Sequence, residues 1–433
     1  MAQHRWARGI AVASALALLA GACGDDDAES ATTAAPAVET TAAVQDTTAP
    51  DTTAGAPTKS EIKIGMAVGE TGGSGSTQKF ASPVAKAWAE YVNAELGGIN
   101  GHPVNLVVKD TKSEAATGAA VVRDLVESES VVALLTADAS SEAAYAPYTA
   151  EQNVPVIGIG YSTEAWSKLP NWFSTTTTAP AVVQEQFVAA KAVDATNFAA
   201  IACVEVASCA ASEPLYTPTA EAVDIGYVGL IPASTTAPNY TAECLQFIQN
   251  GADYIQFSIA PAAGVKIAGD CRSQGYEGWF GASAGAMVAS NFSDPELRMA
   301  GGLNGFPWFV DDEPVTEFRR IMEQYAPDAE YSDPTSTGVW AALELFRTAM
   351  AGASDEPTRD EVFEAYYALQ GEDLGGLLPQ SVTYTAGQPA PKVDCFWVYK
   401  LEGGEFSSVE VDGTSGNSVS SGGLKSACFP PKT

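Results

Sequence analysis

Short apolar runs alternate with polar loops and amphipathic segments along the middle of this chain. Residues 131–166 show the pattern most clearly, with two apolar runs of strand length on either side of a segment that can form a short helix: VVALLTADASSEAAYAPYTAEQNVPVIGIGYSTEAW. Parallel strands of one sheet need such a crossover, which is normally right-handed. The loops TADASS and GYST are therefore predicted to lie at the carboxyl ends of neighbouring strands, where ligands bind in open α/β sheets.

Hydroxyl side chains are concentrated in these two loops. Ser140 and Ser141 follow the first apolar run, and Ser162 and Thr163 follow the second. Together with the free backbone N–H groups at the start of a following helix, they favour a site for a small polar or anionic molecule. Helix capping is the alternative role for the same hydroxyls.

The chain before this stretch repeats the alternation. EIKIGMAV at 61–68 is typical of a strand, and SPVAKAWAEYVNAELGG at 82–98 has apolar residues at helical spacing before a Gly–Gly end. Another strand pattern at 99–110 and another helix pattern at 117–128 follow, so the succession predicts a parallel α/β sheet. The loop GETGGSGSTQ lacks both GxGxxG and GK[ST], which argues against nucleotide binding.

The first residues predict export. Residues 1–22 combine a basic start, the apolar run IAVASALALLA and small residues, as in a secretory signal peptide. Cys23 follows directly and resembles the acylated cysteine of a bacterial lipobox, with Leu19 one residue further upstream than in the usual pattern. We expect cleavage before Cys23 and lipid attachment to its sulfur. The alternative is an ordinary signal peptide followed by a stray cysteine.

The segment after this cysteine predicts a spacer. Residues 23–60 are rich in Thr, Ala, Asp and Pro and contain little to bury, so we expect a disordered linker between the lipid and the folded part. No later apolar run approaches the length of a membrane-spanning helix. A lipid anchor is therefore the only membrane attachment that the sequence suggests.

Composition excludes several classes of partner. The chain carries 53 Asp+Glu against 22 Lys+Arg, a net charge of −31. This balance argues against nucleic acid, against electrostatic binding to anionic lipid and against a polyanionic ligand. With only 2 His and no closely spaced CxxC pair, the sequence also predicts neither a metal site nor a cofactor.

Cysteine usage fits an exported protein. Removing Cys23 from the 7 cysteines leaves an even number, which favours disulfide bonds outside the cytoplasm. Six cysteines allow many pairings, and the sequence does not decide between them. Proximity along the chain alone favours Cys203–Cys209, Cys244–Cys271 and Cys395–Cys428.

The ordered succession of these segments resembles a known family over roughly residues 61–410. The chain is similar to the type I solute-binding proteins of ABC transporters, specifically the branched-chain amino acid and amide-type receptors. The segments that carry the resemblance are IKIGMAV–GETGG, YVNAELGGING, NLVVKD, VVALL with its serine loop, VPVIGIG, NWFSTTTTAPAVVQEQFVAAKAV, NFAAIACVE, APNYTAECLQFIQNGADYIQFS, PTSTGVWAALELFRTAM and VTYTAGQPAPKVDCFWVYKLEGGEFSSV.

The resemblance implies two α/β lobes, each a parallel sheet flanked by helices, joined by three hinge crossovers. The ligand is expected in the cleft between the lobes, with hinge closure around it. We assign residues 61–177 and 310–380 to lobe 1, and residues 178–309 and 381–433 to lobe 2. The Pro- and aromatic-rich stretch FPWFVDDEP fits a crossover better than a helix.

In the family, first-lobe hydroxyls and backbone N–H groups hold the carboxylate of the ligand. By position, Ser140 and Ser162 match the hydroxyls, and Gly160 matches the backbone donor. Thr77 falls where the family often has an aromatic residue, and Tyr161 is a candidate for stacking on a ligand.

The second lobe departs from the family pattern. Ser283 stands where amino-acid-binding members have an acid for the ammonium of the ligand, and Ala260 stands near the position of a tyrosine. Because a buried ammonium without a carboxylate is costly, either Glu70, Asp138 or Glu213 holds the amine, or the ligand has none. Glu213 can equally cap a helix. A small carboxylate, an amide such as urea and an aromatic acid all stay open.

The function expected from these features is capture of a small solute outside the cytoplasm and its delivery to an ABC permease, by a monomer that is not an enzyme. A ligand sensor of the same fold coupled to a receptor is the alternative. An exported hydrolase is disfavoured because His4 lies in the signal peptide and His102 in a turn, and no GxSxG or SxxK motif occurs in a suitable context.

Overall fold

The computed structural model describes residues 57–160, 163–205, 209–282, 286–411 and 424–428. Its first part contains five strands: β1 (Ile62–Val68), β2 (Val104–Asp110), β3 (Ala133–Ala137), β4 (Val156–Gly158) and β5 (Trp172–Ser174). They form one sheet in the order β2-β1-β3-β4-β5, and every neighbouring pair is parallel. β3 and β4 are neighbours, so the predicted placement of their two loops at one sheet edge is confirmed.

Helices cover both faces of this first sheet. They are α1 (Gly75–Gln78), α2 (Ala81–Ala94), α3 (Ala115–Glu127), α4 (Glu142–Glu151) and α5 (Ala165–Lys168). The side chains of β1 alternate between the faces: Ile64 and Met66 join the core beneath α2, whereas Ala67 joins the core beneath α3 and α4. Burial on both faces explains why this strand is a nearly continuous apolar run.

The second sheet contains eight strands, ordered β12-β11-β10-β9-β8-β6-β7 with β13 paired to β11. The neighbours from β7 to β10 are parallel, and β11 pairs antiparallel with β10, β12 and β13. The strands are β6 (Asn197–Cys203), β7 (Gly226–Ala233), β8 (Tyr254–Ser258), β9 (Trp279–Ala282), β10 (Met299–Leu303), β11 (Cys395–Glu402), β12 (Glu405–Ser408) and β13 (Ala427–Cys428).

The remaining helices complete the two layers. α6 packs on β10 and β11, and α11 packs on α2 and β4, so α11 returns to the first sheet as the resemblance implied. They are α6 (Ala179–Ala192), α7 (Tyr216–Val223), α8 (Thr241–Gln249), α9 (Pro261–Ser273), α10 (Glu313–Tyr325), α11 (Pro334–Ala349) and α12 (Arg359–Ala368), with short 3-10 turns at Glu213–Leu215, Ala289–Asn291, Met350–Gly352 and Leu374–Gly376.

The chain passes between the sheets three times. The first crossing follows β5 and the third precedes β11, and the two run side by side: the backbone N–H of Thr178 donates to the carbonyl of Val393 at 2.8 Å. The Thr177 hydroxyl donates to the carbonyl of Cys395 at 2.9 Å, and the Tyr384 hydroxyl donates to the carbonyl of Ser174 at 2.7 Å. The chain therefore forms the two-lobed α/β fold that was predicted, except that the second sheet is mixed and not parallel throughout, because β11 returns antiparallel beside β10. The lobe boundaries assigned from the sequence stay predictions.

Disulfides join neighbouring elements of the second lobe. The three pairs favoured by sequence proximity are confirmed: Cys203–Cys209 at the end of β6, Cys244–Cys271 between α8 and α9, and Cys395–Cys428 between β11 and β13. Within the described ranges, no helix has both the length and the apolar character that crossing a bilayer requires.

Candidate ligand-binding cleft

A cleft of about 560 Å³ is lined by loops that follow the strands of both sheets. First-lobe residues come from the segments after β1, β3 and β4, and second-lobe residues come from those after β6, β7, β8, β9 and β10. Helix α6 and the first turn of α11 complete the lining. The polar residues of its lining are Ser74, Ser76, Thr77, Gln78, Asp138, Glu142, Gln186, Glu205, Ser212, Tyr216, Thr235, Ser258, Asn304 and Thr335. The cleft is therefore large enough for a small solute and rich in hydrogen-bonding groups.

Asp138 follows β3 and is one of the lining residues, with its Oδ2 3.5 Å from where a Cβ on Gly118 of α3 would lie. Its side chain is 1% exposed, and neither carboxylate oxygen accepts a hydrogen bond from any residue in the described part of the chain. Burial raises its pKa, while the Thr111 hydroxyl and the N–H groups of Ser140 and Ser141 lie near enough to oppose the rise without reaching hydrogen-bond geometry. Asp138 is thus a buried acceptor that needs a donor.

Glu142 is the first residue of α4 and lies in the same lining. Its Oε2 accepts a 2.9 Å hydrogen bond from Trp166 Nε1 and a 3.0 Å bond from the Thr163 hydroxyl. The Thr136 hydroxyl donates to Oε1 at 3.4 Å. Burial raises the pKa of Glu142 to about 7 against the opposing effect of these donors, so the side chain exchanges its proton near neutral pH.

A buried tyrosine extends this network away from the cleft. The hydroxyls of Tyr145 and Thr136 lie 2.6 Å apart. Burial raises the pKa of Tyr145 far above its ordinary value, so its phenol keeps its proton. Because Thr136 donates its own proton to Glu142, Tyr145 donates to Thr136, and the chain of donors ends at the carboxylate.

Gly160 makes the contact between Trp166 and Glu142 sterically feasible. A Cβ at this position would lie 1.8 Å from Trp166 Nε1. Only glycine therefore leaves room for the indole to reach across the loop after β4 to the start of α4.

The second lobe contributes a third carboxylate. Glu205, in the loop after β6, is exposed and accepts hydrogen bonds from the Ser234 hydroxyl at 2.6 Å and the Thr235 N–H at 2.9 Å. These donors lower its pKa, so it is ionised at neutral pH. Gln186 of α6 also lines the cleft, and its buried Oε1 accepts no hydrogen bond from any described residue.

The charges in the lining are all of one sign. Of the described lining residues, Asp138, Glu142 and Glu205 are acidic and none is Lys or Arg. The neighbouring segments 161–162, 206–208 and 283–285 contain no Lys or Arg in the sequence. Across the described ranges no group of three or more His, Cys, Asp or Glu is arranged to hold a metal ion.

The structure places the residues predicted from sequence in different environments. Thr77, Gly160 and Ala260 line the cleft. Ser140 is exposed beside it, and its hydroxyl hydrogen-bonds that of Ser74, a lining residue. Whether any of them contacts a ligand stays a prediction.

The remaining predicted residues do not line the described cleft. Ser141 is fully buried with its hydroxyl against Gly118 of α3, and Glu213 is exposed in the 3-10 turn before α7. Tyr161, Ser162, Ser283 and the lipidation residue Cys23 lie outside the described residues.

Sequence reasoning did not single out Glu142, Gln186, Glu205 or Tyr216. An acid at the first turn of a helix is favoured by the helix dipole whether it is exposed or buried, so Glu142 alone carried no signal of burial. The signal that was available is the sequence GIGYSTEAW, in which a glycine and a tryptophan follow a strand end. Asp138, by contrast, was named as one candidate partner for an amine.

The two-lobed fold with a polar cleft between the sheets defines a class of binding protein. The Periplasmic binding protein family model matches residues 61–405, most of the chain, and the chain therefore belongs to this family. The protein is a type I member, as the sequence resemblance predicted. No curated protein was found to match the chain.

Solved structures share the fold at low sequence identity. A substrate-binding periplasmic protein from Ralstonia solanacearum has a TM-score of 0.68 and 16% identity, covering 80% of this chain and 100% of that one. A fatty acid ABC transporter substrate-binding protein from Thermomonospora curvata has a TM-score of 0.66 and 18% identity, covering 84% and 95%. A branched chain amino acid ABC transporter from Thermus thermophilus with bound valine has a TM-score of 0.68 and 15% identity, covering 82% and 96%.

Proposed function

We propose that this protein is an extracytoplasmic solute-binding protein, anchored by lipid at Cys23, that captures a small polar solute in the cleft and delivers it as a monomer to an ABC permease. The observation that carries the proposal is the buried, unpartnered carboxylate of Asp138 in the cleft lining. A buried acceptor without a donor is unfavourable, and a solute that donates to it repairs the deficit on binding.

The similar structures support the ABC-permease partner. Two of the three are ABC transporter components by title, and one holds valine.

Thermal unfolding of the purified protein against amino acids, amides, carboxylates and amines tests the proposal. A ligand at about 100 times its Kd stabilises the fold by about 2.7 kcal/mol, which raises Tm by several degrees. Nuclear magnetic resonance of the solute should show that it is unchanged after prolonged incubation.

A pair of variants locates the binding site. Ala260→Trp, at the N-cap of α9, fills the cleft and should abolish the shift, whereas Ala262→Trp, exposed in the first turn of α9 and absent from the lining, should retain it. A screen without any shift, or consumption of the solute, would show that the proposed function is wrong.

A further inference from the structure

The cleft offers hydrogen-bond acceptors that nothing in the described chain satisfies. Both oxygens of Asp138 and Oε1 of Gln186 are buried without a partner in hydrogen-bond geometry, and these side chains are 1% and 3% exposed. The Thr111 hydroxyl and the N–H groups of Ser140 and Ser141 lie near Asp138 without reaching that geometry. Acceptors of this kind call for a ligand that brings N–H or O–H groups. These unpaired acceptors therefore predict a ligand with donor groups, whatever the number of acidic residues around them.

The charge of the lining residues limits the class of ligand that can supply these donors. Asp138, Glu142 and Glu205 line the cleft without a Lys or Arg among the described lining residues. An anionic solute would add like charge in a partly desolvated site, and an uncharged polyol would donate hydrogen bonds without compensating the carboxylates. A solute with ammonium or guanidinium groups supplies both the donors and the opposite charge.

We propose that the solute is a small organic cation, an amine or guanidinium compound without a carboxylate, whose charged end binds between Asp138 and Glu142. This inference rests on the proposed function. Glu205 lies on the second-lobe side of the cleft, at the end of β6, so the carboxylates are distributed over both lobes. A solute with a positive group at each end pairs with both, and a diamine is the simplest compound of that description.

The zwitterionic amino acid is the main competitor, because Ser74, Ser76 and Thr77 could hold a carboxylate through their hydroxyls. Its negative end would enter a cleft whose described lining has only negative charges. A cation avoids this repulsion and leaves the serine and threonine hydroxyls to accept hydrogen bonds from its N–H groups.

A four-carbon series separates these classes at constant chain length. Isothermal titration calorimetry with 1,4-diaminobutane, 4-aminobutanoate, succinate and 1,4-butanediol should show binding in that order, with succinate and the diol at least about tenfold weaker than the diamine. Agmatine and spermidine extend the panel to a guanidinium group and a longer cation.

Isosteric variants test the contacts. Asp138→Asn and Glu142→Gln should each weaken diamine binding about tenfold or more, because each removes a carboxyl group that ionises opposite the bound cation. Glu364→Gln removes one exposed charge from α12 and should leave the affinity unchanged. Circular dichroism of all three variants checks that they fold.

Two results would overturn the inference: no cation of the panel binds, or the diamine binds equally well to Asp138→Asn and Glu142→Gln. Its failure differs from that of the proposed function. If an acid, amide or polyol binds and Ala260→Trp blocks it, the binding role stands and the cationic class is wrong. If no solute class binds, both are wrong.

Discussion

The indole N–H of Trp166 donates a 2.9 Å hydrogen bond to Glu142, a carboxylate with 1% exposure in the wall of the cleft. This bond joins α5, the short helix that follows β4, to the start of α4, the helix that follows β3. The segments that follow two neighbouring parallel strands are thereby held together at the ligand side of the first sheet. Gly160 is the residue that allows the approach.

Gly160→Ala should therefore destabilise the protein and weaken solute binding. The added Cβ would lie 1.8 Å from Trp166 Nε1, and the indole would have to leave Glu142. We expect a loss of about 1–3 kcal/mol in the free energy of unfolding, measured with urea. Gly269→Ala is the matched control: its Cβ meets nothing within 4 Å in α9, so up to about 1 kcal/mol of stabilisation is expected. Equal stability of Gly160→Ala and wild type would contradict this account.

Replacing Glu142 by Gln should change the pH dependence of stability. Burial raises the pKa of Glu142 from 4.5 to about 7, so between these values the folded chain keeps a proton that the unfolded chain has released. The contribution of this group is full below 4.5 and is lost as the pH rises to about 7, by at most about 3 kcal/mol.

Glu142→Gln keeps an acceptor for Trp166 and cannot ionise. Relative to wild type it should gain stability between about pH 5 and about pH 8, as measured by denaturant unfolding at both. Asp333, whose pKa burial also raises to about 7, is present in both proteins, so the difference between them isolates Glu142. A stability difference that is the same at both pH values would refute the assignment.

Loss of the disulfide Cys203–Cys209 should weaken solute binding. Its effect on the free energy of unfolding should be smaller than that of losing Cys244–Cys271. Both cysteines line the cleft, and the loop that they close spans only 6 residues of separation. Replacing both by Ser should cost about 2 kcal/mol in unfolding free energy and weaken solute binding, because the loop that holds Glu205 is released.

The corresponding replacement of Cys244 and Cys271 is the control. Both are fully buried away from the cleft lining and are separated by 27 residues, so the stability loss should be larger, about 3.5 kcal/mol, with the affinity of the folded protein retained. Urea unfolding and calorimetry on the same samples separate the two effects. Unchanged affinity after loss of Cys203–Cys209 would show that this disulfide does not shape the site.

Lipid attachment has a direct test at Cys23. Labelled fatty acid should be incorporated into wild type expressed in a bacterium and absent from Cys23→Ala, which should be released from the membrane fraction. The motif MAQHRWARGIAVASALALLAGAC is the reason for this expectation. Incorporation of label into Cys23→Ala would show that a residue other than Cys23 is acylated.

The fold was largely predictable because its signals are local. β3, α4 and β4 were recognised from one apolar run, one helical segment and a second apolar run, and a single crossover between parallel strands leaves few arrangements. The turn between β11 and β12 is another local case. Gly403 and Gly404 have φ of +66° and +83°, a conformation that glycine adopts without strain.

The chemistry of the cleft was less predictable because it depends on distant partners. The burial of Glu142 follows from Trp166, 24 residues later, and from the absence of a side chain at Gly160. For Ser141, the pattern placed a hydroxyl in the correct loop but could not show that it turns towards α3. Side-chain direction in a loop is set by tertiary packing, which no periodicity reports.

The hydrogen bonds between the first and third crossings have a mechanical consequence. Since Thr177 and Thr178 are bonded to Cys395, Asp394 and Val393, these two connections bend together about a single line. We therefore expect the angle between the two sheets to change mainly about the line that these two connections share. A closure limited in this way would cost little conformational entropy, so we expect that a small molecule with few contacts suffices to drive it.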